Sequence, residues 1–234
     1  MSDTVARLDV AVVDHGAGNL VSIEHALAAA GAAPRRVDSP AEIEGAGLLL
    51  VPGVGAAAPA MHRLRRAGLD RAIVDWFDAG RPLLGICLGM QLLFEGSDED
   101  GARTLGVIPG RVRRLVGAPT LPHIGWNQVN RRREHPIFEG IGPAADLYFV
   151  HSYAGAPVGD DAGAWTLAET DHGSRFVSAV ARDHVVGLQF HPELSGQIGL
   201  RILGNVLRWA ARWPASPGES ATLPSKLPTP ITAA

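Results

Sequence analysis

Residues 82–95 read PLLGICLGMQLLFE, and the way this stretch is parsed decides the rest of the chain. Pro82–Ile86 is short, apolar and bounded by turn residues, the pattern of a strand buried on both faces. Leu88–Glu95 carries a helical composition. Cys87 stands at the junction, with Gly85 and Gly89 two residues to either side. A lone cysteine closing an apolar run is commonly core filler. A small–x–nucleophile–x–small turn between strand and helix is different: the central residue is held in a strained conformation, and the glycines let strand and helix approach closely. The sulfur then projects above the carboxyl end of the sheet, where open α/β sheets bind ligands. The positive end of the following helix favours thiolate, and the Leu88 amide points where an oxyanion would form on an attacked carbonyl.

Working outward, the first half alternates short apolar runs with helical patterns, as βαβ units of a parallel sheet do. Leu8–Asp14 and Gly47–Val51 read as buried strands. Asn19 reads as the cap of a helix over Leu20–Ala30, stopped by Gly31, and further helices are expected over Ala56–Arg66 and Leu69–Ala79. The second half reads as strands at Arg111–Leu115, Gly125–Val129, Asp146–Ser152, Trp165–Ala168, Phe176–Ala181 and Val185–Phe190. A tight hairpin is expected at 182–184, and an amphipathic helix over Gly196–Trp213 closes the pattern. From Pro214 onward the sequence is rich in Pro, Ser, Thr and Ala without periodicity, which predicts a disordered tail over 214–234 after one domain spanning 1–213.

Composition narrows the function classes. The chain has 234 residues, 46% hydrophobic and 19% charged, with a formal net charge of -3. That profile advertises neither a nucleic-acid nor an anionic-membrane partner. The short basic clusters at 111–114 and 131–133 read as solvated strand ends. One cysteine leaves no internal disulfide and suits a reducing compartment. Leu8–Val13, interrupted by Asp9, is too short for a signal core or a membrane span. The expectation is a cytoplasmic protein.

His191-Pro192-Glu193 follows the last strand. Residues two apart in extended chain point the same way, so imidazole and carboxylate share one side, and Pro192 stops the strand. A carboxylate beside a histidine holds one tautomer and stabilises the imidazolium. Pro52-Gly53-Val54-Gly55 ends the second buried strand, where backbone amides can supply a second oxyanion donor. His15, His62, His135, His172 and His184 read as solvent-exposed; His123 and His151 sit among apolar residues and could line a pocket. No HExxH spacing occurs and there is one cysteine, so no metal site and no cofactor is expected. Residues 14–19, DHGAGN, begin like a dinucleotide fingerprint, but Val21 stands where the third glycine belongs.

Together, GICLGMQLLF (85–94) and the distant HPE (191–193) resemble the class I, Cys–His–Glu glutamine amidotransferases, over about Val10 to Trp209. The resemblance implies an α/β fold: a doubly wound, mostly parallel sheet with flanking helices, plus antiparallel strands in the second half. It implies cleavage of the side-chain amide of glutamine through a cysteinyl thioester, with ammonia passed to a synthase. DHGAGN (14–19), VPGVGA (51–56), PHIGWN (122–127) and YFVHSY (148–153) are similar to the glutaminase subunits of imidazole glycerol phosphate synthases. Those act in histidine biosynthesis as heterodimers with a (βα)8-barrel cyclase. Nucleophile, base and acid then fall on Cys87, His191 and Glu193, and the oxyanion hole on Gly53, Val54 and Leu88. Glutamine contacts fall on Gly55, Gln91, Ser152 and Tyr153. Two positions depart from the pattern: His15 where tyrosine is usual, and Leu194 where lysine follows the HPE. They leave open a glutaminase subunit of a different synthase, a stand-alone γ-glutamyl hydrolase or a non-catalytic subunit retaining the fold.

Overall fold

The computed structural model describes residues 7–213; the expected disordered tail lies outside them. The first half runs β1 (Asp9–Val13), α1 (Leu20–Ala29), β2 (Ala33–Val37), β3 (Leu48–Val51), α2 (Ala57–Ala67), α3 (Leu69–Asp78), β4 (Leu83–Ile86) and α4 (Leu88–Leu92). There follow β5 (Phe94–Ser97), β6 (Ile108–Arg114), β7 (His123–Arg131), β8 (Ala144–His151) and β9 (Tyr153–Pro157). The chain closes with α5 (Ala162–Trp165), β10 (Thr166–Asp171), β11 (Arg175–Arg182), β12 (Val185–Leu188) and α6 (Gly196–Ala211).

Nine strands form one sheet in the order β2-β1-β3-β4-β12-β11-β10-β7-β8, and β5, β6 and β9 form a separate small one. The β2, β1, β3, β4 and β12 strands pair in parallel. From β12 outward every pairing is antiparallel. The expected doubly wound sheet with antiparallel strands in the second half is therefore present. Alternation along the strands splits the core into two layers. Val10, Val12, Leu48 and Leu50 face α1 and α6, packing with Ile23, Leu27, Ile202 and Val206. Ala11, Val13, Leu49 and Val51 face α2 and α3, packing with Met61, Leu64, Ile73 and Trp76. With both faces covered, the central strands are wholly apolar runs rather than alternating ones.

Three strands escaped the sequence reading. β2, APRRV, is an edge strand whose arginines are neutralised by neighbours: Arg35 bonds Asp9 at 3.0 Å and Arg36 pairs with Glu24. The segment 88–95 was expected to be one helix, but α4 stops at Leu92 and Phe94 begins β5. Glu95 accepts from the Gly110 amide at 2.9 Å, a tertiary bond that favours strand over helix there. β9, YAGAP, has little strand propensity of its own; the ring of Phe94 lies over Gly155 and leaves no room for a side chain. Arg111–Leu115, read as a strand of the main pattern, belongs to the small sheet instead. Asn19 does cap α1, accepting from the Ser22 amide at 3.2 Å, and β11 turns into β12 through Asp183-His184. Among the described residues, no helix is long and apolar enough to cross a membrane.

The fold hinges on how closely α4 approaches the sheet. A Cβ at position 89 would lie 1.7 Å from the carbonyl oxygen of Val51 at the end of β3, and one at 85 would lie 2.8 Å from the Met90 backbone. Gly89→Ala should therefore cost more than about 3 kcal/mol, at the upper end for overpacking, because backbone cannot yield as a side chain can. A urea titration followed by circular dichroism measures it; near-wild-type stability would show that the helix can slide.

Candidate active site

Cys87 adopts φ 53 and ψ −111, one of two non-glycine residues with positive φ among those described. Such strain persists only where the surroundings over-determine it. Here the Cys87 amide donates to Leu188 at 2.7 Å, tying the turn to the neighbouring parallel strand. The carboxyl ends of β3, β4 and β12 lie side by side, with Leu188 in register with Ile86. Residues that follow these three strands, Pro52-Gly53-Val54, Cys87 and Gln189 to Glu193, therefore meet above one edge. That adjacency explains why segments so distant in sequence converge.

His191 Nδ1 and Glu193 Oε1 lie 2.7 Å apart, both side chains almost fully buried. Ring nitrogen Nε2 makes no fully aligned hydrogen bond, and the pairing open to it is with the Cys87 sulfur. Burial works against a charged ring, but pairing with Cys87 and then with Glu193 outweighs it and pushes the His191 pKa up to about 10. The expected trio is thus brought together.

A cavity of about 90 Å³ adjoins it, lined among others by Gly53, Val54, His191, Glu193 and Leu194. Gly18 and Asn19 form its far wall, so residues 14–19 brace this site. His15, expected in solvent, is only 3% exposed. Its Nε2 donates to the Pro52 carbonyl at 2.9 Å, and a Cβ on Gly53 would fall 2.7 Å from that nitrogen. The pattern of exposed turn histidines missed this because the bond crosses from one strand end to the next.

The oxyanion donors need correction in one respect. The Leu88 amide does sit beside Gly53, but it donates to the Gly53 carbonyl at 3.3 Å. The carbonyl occupies the place foreseen for a substrate oxygen, since both strand ends compete for the same donor. Gly55, expected to touch glutamine, is exposed with φ +94 and does not line the cavity. Gln91, Ser152 and Tyr153 also lie off the cavity. The Ser152 carbonyl accepts from Leu115 at 3.0 Å, and the Tyr153 carbonyl accepts from Gln91 Nε2 at 2.8 Å. Sequence reasoning passed over Gln189, a fully buried amide between the last strand and His191. Its signal is a polar residue inside the apolar run VVGLQF.

His123 and His151 are buried as expected of pocket-lining residues, but they spend their ring nitrogens internally. His151 Nδ1 donates to the Tyr153 carbonyl at 2.8 Å, and His123 Nδ1 lies 3.1 Å from His151 Nε2. Among the described residues no cluster of three or more His, Cys, Asp or Glu is arranged to hold a metal ion.

A strained cysteine beside a carboxylate-held imidazole, at the carboxyl edge of a half-parallel sheet, has the parts of a cysteine-dependent acyl-transfer centre. Comparison with known proteins agrees: the glutamine amidotransferase class-I pattern matches residues 11–207, and the chain belongs to that family. The imidazole glycerol phosphate synthase subunit HisH of Symbiobacterium thermophilum is 47% identical over 84% of this chain and 92% of that protein. The same-named subunit of Thermococcus kodakarensis is 47% identical over 85% and 99%. A solved glutamine amidotransferase structure superposes with a TM-score of 0.69 at 22% identity, covering 86% of this chain and 98% of the other.

The buried histidines set an acid limit on stability. Burial lowers His135 and His151 from 6.5 to about 4, aided by the charge of Arg133 on the first and by the neighbouring histidines on the second. Between those values the unfolded chain binds more protons than the native one, so stability is full above 6.5 and falls as pH drops toward about 4. His191, protonated in both states there, adds no slope in that window. Denaturant titrations at neutral and acid pH should show this fall, and His151→Gln, less stable at neutral pH, should show a shallower one. An unchanged slope would remove His151 from the account.

Proposed function

We propose that this chain is the glutaminase subunit of an imidazole glycerol phosphate synthase, releasing ammonia from L-glutamine for a cyclase of the (βα)8-barrel type. The observation that carries the reading is the His191–Glu193 pair, buried beside the strained Cys87. Relatives at 47% identity over most of both chains support the particular subunit. The proposed glutaminase domain spans residues 1–213 and works in the cytoplasm as half of a heterodimer, without cofactor or metal.

In this mechanism the Cys87 thiolate attacks the side-chain carbonyl carbon of glutamine. The resulting oxyanion is held by the amides of Leu88 and the Gly53-Val54 segment. The His191 imidazolium gives its proton to the departing nitrogen, ammonia leaves and a γ-glutamyl thioester remains. His191, now neutral, takes a proton from water, whose hydroxide attacks the thioester; glutamate departs and the thiolate is restored. Glu193 keeps the ring aligned and stabilises its charge throughout. Because the Leu88 amide is engaged with the Gly53 carbonyl, the Gly53–Val54 peptide must turn before the oxyanion can be received. A partner pressing on this segment supplies the reason for it to turn, which would make the isolated subunit nearly idle.

The docking face is apolar and close by. Val54 and Leu194, 42% and 43% exposed, line the cavity mouth. Trp126, 58% exposed, stands edge-on to Tyr148, whose carbonyl accepts from the His191 amide at 2.8 Å. Leu194 makes this contact apolar where relatives of the subunit usually present a lysine.

With the synthase present, Cys87→Ala should abolish glutamine-dependent turnover, by more than about 10⁴-fold, while still capturing the synthase in a pull-down. Glu193→Gln should lose less, since the base survives though poorly aligned. Appreciable turnover by Cys87→Ala would end the nucleophile assignment. Val54→Pro deletes one proposed oxyanion donor and should lower kcat by about 10²–10³-fold with Cys87 still labelled by a glutamine-analogue diazo ketone. Equal loss of labelling would show that the substitution had disturbed the nucleophile instead.

A further inference from the structure

An amide buried in an apolar layer costs several kcal/mol unless its hydrogen bonds are made. Gln189 is such an amide, wholly enclosed after Leu188 and before Phe190. Its partners are Gln91, at 3.0 Å, and the sulfur of Cys87, at 3.7 Å. The polarity of this short chain follows from its far end. The carbonyl of Tyr153 can only accept, so the atom of Gln91 that meets it at 2.8 Å is the Nε2 donor. The same Nε2 donates its other hydrogen to Gln189, so the atom of Gln189 facing Gln91 is the oxygen. Gln189 must then turn its own N–H toward the sulfur.

We infer that Gln189 is a further catalytic residue: its side-chain N–H donates to the Cys87 thiolate, while its oxygen locks Gln91 so that Gln91 meets glutamine as an acceptor. The inference rests on the reading of Cys87 as nucleophile. With both N–H groups of Gln91 spent, Oε1 is the atom left for substrate, suited to an ammonium or amide N–H. The donor to sulfur fills a need. The nearest carbonyl, that of Val150 at 3.9 Å, accepts from a thiol but repels a thiolate. The helix behind the cysteine has only five residues, so its dipole is small. The titratable groups around the sulfur are His191, with Glu193 behind it, and the neutral His151 following Val150.

Two variants of the full chain test it. Gln189→Leu removes donor and acceptor; Gln189→Glu keeps an acceptor for Gln91 and places a second acceptor at the sulfur. The rate of Cys87 alkylation by iodoacetamide, followed against pH, should reach its half-maximum about one pH unit higher in Gln189→Leu and higher still in Gln189→Glu. That is roughly a tenfold loss of thiolate near neutrality. With the synthase present, KM for glutamine should rise more in Gln189→Leu than in Gln189→Glu. A purely structural role predicts lower melting temperatures with an unmoved alkylation curve, and that result overturns the inference. Should both variants fail to fold, the unsubstituted chain still decides: the side-chain amide proton resonances of Gln189 must titrate with the alkylation curve, and flat resonances reject the donor. Absence of labelling of the unsubstituted chain by the glutamine-analogue diazo ketone would instead remove Cys87 as nucleophile, a failure distinguishable from that of Gln189.

Discussion

The site depends on a backbone contact in which no side chain takes part. Helix α4 crosses the end of β3 so closely that a single carbon added at Gly89 would sit within bonding distance of the Val51 oxygen. Only with the helix seated there does the turn at Cys87 take up its left-handed φ, and only from that turn does the sulfur clear the strand ends. The two strands flanking β4, β3 and β12, are parallel to it, so all three deliver their following loops to the same edge. Placing the nucleophile, the Gly53 segment and the His191–Glu193 pair within reach is thus a property of sheet topology, with the close helix crossing as its precondition.

Burial acts in opposite directions on histidines a few residues apart. His151 and His135 are taken from water with only backbone or neutral partners, so they stay uncharged. His191 is equally enclosed, but Glu193 and Cys87 offer it negative charge, and the ring holds its proton well above neutrality. The contrast identifies what burial achieves at the site: a low-dielectric setting in which one ion pair is strong and stray protonation elsewhere is suppressed. The Tyr153 carbonyl helps to keep the two environments distinct. It receives Gln91 from one side and His151 from the other, and fixes the polarity of both chains.

Cys87, His191 and Glu193 were legible in the sequence because each depends on local geometry: a glycine-flanked strand-to-helix turn, and a two-residue spacing broken by proline. The buried central strands were legible because enclosure on both faces leaves continuous apolar runs. What escaped depends on neighbours distant in sequence. β2 hides behind two arginines whose charges are met by Asp9 and Glu24, and β5 and β9 exist because they complete a small sheet around Phe94. His15 was read as a turn residue because nothing within its own segment reveals that Pro52 lies above it. Gln189 could have been caught, since an amide in an otherwise apolar strand demands a partner.

The amide of Leu88 shows why presence of the parts is not the same as readiness. Its bond to the Gly53 carbonyl, at 3.3 Å, is long. An oxyanion, bearing full charge, would be a much better acceptor than that carbonyl, so the exchange is favourable once the transition state forms. The obstacle is the rotation that takes the carbonyl away. His15 grips the Pro52 carbonyl immediately upstream, whereas Gly55, with positive φ and open space around it, can absorb the change downstream. A segment clamped at one end and free at the other responds to pressure on the residue between them. That residue is Val54, whose side chain is exposed at the mouth where a partner would rest. The same few atoms can therefore couple docking of a synthase to completion of the oxyanion site, without any wider rearrangement of the sheet.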